Sequence, residues 1–222
     1  MPPRAQGFCC DEDLASIGSD GLNADADLAA WRSGRLHPAS RELIDVVRAE
    51  GIAGATLLDI GAGVGAVHVT LLEAGAATAV DVDASREYLS TAAAEGERRG
   101  LTGRVDYRYG DVVELAPDLP QSDIVTLDSV ICCYPNLAPL LEAALQTRPR
   151  VVGMTYPRDT WWMRLYMSLY NFVVALRRRP GRYFAHRHFD VHLLLVDAGY
   201  GIAHDGGTRS WRVVLYRRLD HR

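Results

Sequence analysis

The stretch LLDIGAGVGAVH, Leu57 to His68, decides the fold. Leu57 to Ile60 form a short, mostly apolar run of strand character. Three alternate glycines follow, Gly61, Gly63 and Gly65, and then the sequence turns helical. Glycine takes positive φ at no steric cost, and such a series weakens a helix start unless the backbone must come close to a ligand. Gly61, Gly63 and Ala66 also satisfy the G-x-G-x-x-G/A spacing of a strand–turn–helix nucleotide site, with Asp81 following at the distance of a ribose-binding acid. The turn alone does not say whether its ligand carries a pyrophosphate.

Downstream of the turn, apolar runs alternate with helical periodicity. ATLLDI reads as a first strand and Gly65–Ala74 as a helix. TAVDV is a second strand, and Ala84–Arg99 a helix with Tyr88, Leu89 and Ala92 on one face. RVDYRYGD and the nearly all-apolar DIVTLDSVI are the third and fourth strands, Leu137–Leu145 a helix, and RVVGMTY the fifth strand. FDVHLLLVDAGY closes as a last helix ending at Gly199, and WRVVLYRR as a final strand. Continuous apolar strands separated by helices predict an α/β, Rossmann-like fold with a mainly parallel sheet covered on both faces. Upstream, HPASRELIDVVRAEG is helical, with Pro38 in its first turn and Leu43, Val46 and Val47 on a face. The expected organisation is an N-terminal arm and helix over residues 1–50 and one domain over 51–222, carrying a helical insert at about 158–184.

Composition narrows the class. The 222 residues, 48% hydrophobic and 23% charged, describe an ordinary globular chain with one substantial core. A net charge of −4 supplies no basic field for nucleic acid, so none is expected as a partner. The acidic start MPPRAQGFCCDEDL lacks the apolar run of a signal peptide, which predicts a cytoplasmic protein. Cysteines stand in adjacent pairs, Cys9–Cys10 and Cys132–Cys133. Neighbouring side chains of an extended segment point apart, so this is poor zinc spacing and no metal is expected.

In such a fold the ligand lies at the carboxyl ends of the strands, which gathers Gly61–Gly65, Asp81, Asp111 and Asp128–Tyr134 around one crevice. Asp83 reads as a cap for the helix that follows it. Asp59 sits two residues before the first glycine. Its carboxylate would repel a pyrophosphate but favour a cationic ligand end. Asp111 ends the third strand, where it can accept from an exocyclic amine. These features sketch a ligand with a positive end, a ribose and an adenine.

At these residues the chain resembles the class I S-adenosylmethionine-dependent methyltransferases. The likeness is carried by LLDIGAGVG, AVDVD, Gly110–Asp111 and DIVTLDSVI, in order, over roughly Ala55–Tyr156. It implies S-adenosylmethionine as cofactor and a sheet whose last strand runs antiparallel. By the resemblance, Gly61, Gly63 and Gly65 admit the methionine part, and Asp59 orients the turn and the amino group. Asp81 takes the ribose hydroxyls and Asp111 the adenine amine, with the Val112 backbone beside it; Val82 is a further cofactor-binding residue, and Asp128 marks the opening to substrate. A narrower likeness, in LDSVICCYPN, TYPRDTWW and WRVVLYRR, is to the magnesium-protoporphyrin methyltransferases. Cys133 stands where that family carries His before Tyr-Pro, and the arm offers Phe8 and Trp31 in place of a tyrosine, which implies a related enzyme with a different small acceptor.

The insert WWMRLYMSLYNFVVAL is apolar over most of its girth, yet too short and interrupted to span a bilayer. Three roles fit it: a helix packed on the sheet or in a homodimer interface, a lid over a flat apolar acceptor with Trp162 and Tyr166 as walls, or, least favoured, attachment to a membrane surface through the following RRRPGR. An acceptor that must lose a proton needs a base; Tyr134, His186 and His188 are the candidates, Tyr134 and His186 first. The expectation is methyl transfer to a small apolar or aromatic acceptor. An inactive cofactor-binding regulatory module and an NAD(P)-dependent oxidoreductase are the alternatives.

Overall fold

The computed structural model describes residues 23–177 and 183–219. Phe8, Cys9 and Cys10 of the arm, and Arg178, Arg179 and Arg182, lie outside the described residues.

Two helices open the described chain, α1 (Ala24–Arg32) and α2 (Pro38–Ala49). Asn23 caps α1 by accepting the Ala26 N–H, and the His37 ring caps α2 through the Ala39 N–H. Leu43 and Val47 of α2 are fully buried, in one apolar cluster with Leu57, Val151 and Leu215 of the sheet. Burial on this scale contributes about 1.5–3 kcal/mol per side chain, enough to hold a short helix in place.

The alternating segment builds β1 (Thr56–Ile60), α3 (Ala66–Glu73), β2 (Thr78–Asp83), α4 (Arg86–Arg98), β3 (Val105–Tyr109), the single-turn α5 (Val112–Leu115), β4 (Ile124–Asp128), α6 (Leu137–Gln146) and β5 (Val151–Pro157). It is followed by α7 (Trp161–Leu176), α8 (His188–Asp197), β6 (Tyr200–Gly207) and β7 (Trp211–Arg218). The strands form one seven-stranded sheet in the order β3-β2-β1-β4-β5-β7-β6. Pairing is parallel from β3 to β5, while β7 runs antiparallel to both β5 and β6. The parallel sheet with an antiparallel last strand is the predicted Rossmann-like architecture.

β6 is the element the sequence pattern hides. YGIAHDGG carries three glycines and an aspartate, and only Tyr200 is buried. An edge strand is paired on one side alone, so it need not show apolar alternation, and a bulge at Ile202/His204 disturbs it further.

Successive side chains of a strand face opposite ways. Leu58 and Ile60 therefore enter one core layer with α6 and α8, and Leu57 the other with α2 and α3. Asp59 and Asp81 share the α2/α3 side, in register opposite one another. From β1 the chain moves outward to β2 and β3, then returns to place β4 on the other flank of β1. That reversal opens the crevice.

Candidate active site

The glycine turn is locked from both sides. Gly61, Gly63 and Gly65 have φ of 62°, 57° and 80°. The Gly61 N–H donates to the Val82 carbonyl at 2.7 Å, and the Gly63 N–H to Asp83 Oδ2 at 3.0 Å. A Cβ on Gly61 would lie 2.6 Å from Val130 Cγ2, and one on Gly65 would lie 2.9 Å from His68 Cε1. Any side chain at either position must displace a neighbour as well as bear the left-handed backbone.

Asp59 lies under this turn and does not line the crevice. Its Oδ2 accepts the His68 backbone N–H at 3.3 Å and the ring Nδ1–H at 3.0 Å, while Oδ1 accepts the Thr126 hydroxyl at 2.7 Å. The carboxylate thus ties β1 to β4 and to the first turn of α3. The expectation that it meets a cationic ligand end is corrected: His68 and Thr126 hold it inside, and it supports the turn from below.

Asp81 is corrected as well. It pairs with Asp59 in the β1/β2 register, is fully buried, and sits beneath α3 rather than in the crevice. Neither of its oxygens has a hydrogen-bond partner, and His68 Nε2 stands 4.0 Å away. Burial, and then the charges of Asp59 and Asp83, push its carboxyl well above the ordinary range. A residue two places short of the strand end cannot reach a ligand above the strand ends. Asp83, the last residue of β2, does line the crevice. Its Oδ1 accepts the Ser85 N–H at 2.7 Å, and Oδ2 the Gly63 N–H. Burial holds its carboxyl up to about 6 against those two donors. The N-cap of α4 is Ser85 itself, so Asp83 braces the residue before the helix and the glycine turn together. Aligning LLDIG with AVDVD by strand register would have found it, because Gly61 then falls level with Asp83.

Val82, Asp111, Val112 and Asp128 line the crevice. Asp111 caps α5 by accepting the Val113 N–H at 2.9 Å. The Tyr134 hydroxyl lies 3.0 and 2.9 Å from the two Asp111 oxygens. Tyr134 is therefore corrected as a catalytic base: it borders the crevice, but its proton is directed to Asp111, whose orientation it sets. Asp128 accepts the Thr155 hydroxyl, and burial raises its carboxyl. His186 also departs from expectation. Its Nε2–H donates to the Tyr134 carbonyl at 2.7 Å, and the ring borders a separate small cavity with Tyr156 and Met163. His188 is turned to the Tyr156 hydroxyl at 2.6 Å, away from both.

The crevice measures about 1170 Å³, above the roughly 300–1,000 Å³ of a pocket for one small ligand. Asp83, Asp111 and Asp128 stand at the strand ends among Ile60, Val82 and Val130, while Trp31, Leu36, Tyr170, Val173 and Trp211 line it from the helices and β7 together with the exposed Arg35, Arg41 and Arg177 and with Asp27 of α1. Leu36, Arg35 of the loop after α1 and Arg41 of α2 were missed by the sequence reading, since nothing in a surface helix pattern shows which sheet edge it covers. Helix α1 is pinned by the Tyr88 hydroxyl donating to Asp27 at 2.6 Å, and by Arg32, which joins Arg98 and Arg99 on the buried Glu95. From α7, Tyr170, Val173, Val174 and Arg177 face the crevice. Trp162 and Tyr166 do not: Trp162 packs on Cys132, Met163 and Met167, and Tyr166 is exposed. Cys133 is exposed on the crevice wall and Cys132 buried behind it, their sulfurs 3.9 Å apart.

Residues 58–149, from β1 through the glycine turn, Asp83, Asp111, Asp128 and Tyr134, match the family model described as a methyltransferase domain. This segment is a methyltransferase domain. The residues present fit S-adenosylmethionine as a cofactor. Glycines leave the backbone bare at the turn, and Asp83 and Asp111 offer acceptors for a diol and an amine. The methyltransferase shares its fold with solved structures at low identity. Magnesium protoporphyrin IX methyltransferase from Synechocystis PCC 6803 superposes with TM-scores of 0.66 with bound SAH and 0.65 with bound SAM, at 20% identity. The former covers 82% of each chain, the latter 97% of this chain and 92% of that one. An O-methyltransferase family protein from Burkholderia thailandensis gives a TM-score of 0.69 at 15% identity, over 97% of this chain and 65% of its own. A Pyrococcus horikoshii protein provisionally assigned as an RNA methyltransferase gives 0.60 at 17%, over 82% and 84%. No curated protein sequence matches the chain.

Proposed function

We propose that the methyltransferase acts on a small apolar or aromatic acceptor that carries an anionic group, a carboxylate foremost. The observation behind this reading is one crevice with three aspartates at the strand ends and with aromatic residues and three arginines contributed by the surrounding helices and loop. Asp83 would accept from the ribose hydroxyls, Asp111 with Val112 would receive the adenine edge, and the bare backbone of Gly61–Gly65 would face the methionine part. Asp128 would lie between the cofactor and the acceptor.

The cofactor supplies a methyl group already activated on a sulfonium, so the chain's task is positioning. A carboxylate acceptor is ionised at neutral pH and needs no base, which suits a site where Tyr134 and His186 are committed elsewhere. Arg35, Arg41 and Arg177 would hold its charge, and paired guanidinium N–H groups also fix its plane. At exposed guanidinium groups each such pair is worth about 0–1 kcal/mol, so the arginines act together and chiefly by orienting the acceptor. The crevice has room for a small molecule beside the cofactor, which favours this over a macromolecular acceptor.

The test is a transfer assay with labelled methyl donor across aromatic carboxylates, their neutral amides, aromatic amines and phenols, and RNA. Label on carboxylates and little on the matching amides is the expected result. Label on RNA, or equal label on amide and acid, would overturn the reading.

A further inference from the structure

Cys132 and Cys133 stand side by side on the wall of the crevice, two thiols that methyl transfer to a carboxylate does not need. In an extended segment neighbouring side chains point apart. Here the chain after β4 enters a short 3-10 helix, Ile131–Cys133, whose three residues per turn set neighbours about 120° apart. The Cys133 N–H closes the turn by donating to the Val130 carbonyl at 2.8 Å. The two sulfurs converge to 3.9 Å, and lie 3.4 and 3.6 Å from the Ser129 carbonyl.

Their surroundings differ, and the difference assigns the roles. Cys132 is buried against Met163 and Met167, while Cys133 is exposed in the crevice. A cysteine attacks as its thiolate, and an S–H donated by a neighbouring sulfur stabilises that anion. Donation from Cys132 holds the Cys133 thiol below its ordinary range, and the same bond with burial pushes the Cys132 thiol up. Cys133 is thus the accessible nucleophile, and Cys132 the second thiol within reach of whatever Cys133 has bonded.

We propose that Cys132–Cys133 is a reversible oxidation site, at which a low-molecular-weight disulfide of the glutathione class converts the two thiols to a vicinal disulfide. The Cys133 thiolate attacks one sulfur of the small disulfide. The S–S bond breaks, one thiolate leaves with the bonding pair, and a mixed disulfide stands on Cys133. Cys132 then gives up its proton, its sulfur attacks the Cys133 sulfur, and the second small thiolate leaves. The two cysteines lose two electrons in all, the small disulfide gains them, and the two thiol protons pass to the leaving thiolates.

Successive Cα atoms are about 3.8 Å apart, short of the roughly 4.4–6.8 Å usual between bridged cysteines. The ring is therefore strained and readily reduced again. Closing it brings the sulfurs from 3.9 Å to about 2 Å, which rearranges the turn that leads into Tyr134. The Tyr134 hydroxyl lies 2.9 Å from Asp111, and its carbonyl accepts the His186 Nε2–H. Oxidation loosens this brace and weakens cofactor binding, a consequence that rests on the role proposed for Asp111, whereas the oxidation itself does not.

The experiment uses the full-length chain with Cys9→Ser and Cys10→Ser, so that only the pair reacts. The protein is reduced, freed of reductant and incubated with oxidised glutathione. Mass spectrometry should show the loss of two hydrogens and no retained glutathione, reversed by dithiothreitol. With Cys132→Ala added, the reaction should stop at one glutathione per chain. With Cys133→Ser added, it should run at least tenfold slower, both variants keeping the parent's circular dichroism. Affinity for S-adenosylhomocysteine, by calorimetry, should fall tenfold or more on oxidation and recover on reduction. No reaction, retained glutathione without ring closure, or equally fast reaction of the Cys133→Ser protein overturns the site. A disulfide that forms while the affinity holds overturns its coupling to the cofactor. Reduced protein that binds no S-adenosylhomocysteine would contradict the cofactor assignment, and the mass change would still decide the oxidation.

Discussion

Two aspartates of one strand, two residues apart, have opposite fates. Asp81 is sealed under α3 with neither oxygen partnered, and Asp83 opens to the crevice with two backbone donors. Asp83→Ala should weaken S-adenosylhomocysteine binding by about 2–3 kcal/mol, the range for charge-assisted hydrogen bonds, read by calorimetry. With its carboxyl at about 6 in the free protein, Asp83 becomes protonated as pH falls below that value. It then loses acceptor capacity, so wild-type affinity should decline between pH 7 and pH 5, approaching tenfold per pH unit, and the Asp83→Ala variant should show a flatter profile. Asp81→Asn should leave cofactor affinity nearly unchanged. A raised carboxyl favours the protonated form in the folded state, so its ionisation costs stability as pH rises through the folded value. Asparagine avoids that charge. The variant should therefore melt higher than wild type at pH 8, with the difference closing towards pH 5. A lower melting temperature at pH 8 would show that the buried charge is needed.

At the scale of elements, the site is a set of strand ends braced by helix starts. The glycine turn is wedged between Asp83 and Val130, which leaves no room for even a methyl group at Gly61. Gly61→Ala should cost about 1–3 kcal/mol through its left-handed backbone alone. That corresponds to a fall in Tm of roughly 2–4 °C per kcal/mol, with cofactor binding lost beforehand because the turn is displaced. Tyr134 joins the loop after β4 to Asp111 at the start of α5. Tyr134→Phe should raise the KM for S-adenosylmethionine several-fold, about 1 kcal/mol, and leave kcat close to wild type. A collapse of kcat at unchanged KM would instead make the hydroxyl part of the chemistry.

Over the whole molecule, the crevice joins surfaces that are far apart in sequence: strand ends from Ile60 to Tyr134, the first two helices, and one side of α7. Only the strand-end part falls within the matched methyltransferase segment, 58–149. The helix-borne part of the lining lies outside it, so the acceptor is a matter of that part's chemistry. The double variant Arg35→Gln/Arg41→Gln should raise the KM for a carboxylate acceptor tenfold or more and leave S-adenosylhomocysteine affinity unaltered. Equal loss of both would place the arginines in the folding of the arm instead.

Much of this was legible in the linear sequence, for a physical reason. Strand and helix periods, alternate glycines and the order of strand-end acids are local features, written within a few residues of one another. They were sufficient to determine a Rossmann-like sheet, the glycine turn at Gly61–Gly65, the places of Asp111 and Asp128 beside the crevice, and the bounds of the helix Trp161–Leu176. What only the tertiary structure decided is which of several equivalent side chains faces the ligand. Asp59, Asp81 and Asp83 have the same parity, and distance from the strand end separates them, a quantity set by register with β1 and by the seat of His68 over the strands. The Tyr134–Asp111 bond spans 23 positions and the His186–Tyr134 bond 52, so no local pattern announces either. Sequence determines what each segment prefers to be. The packing of distant segments determines which polar groups are left for a ligand once the protein's own hydrogen bonds are made.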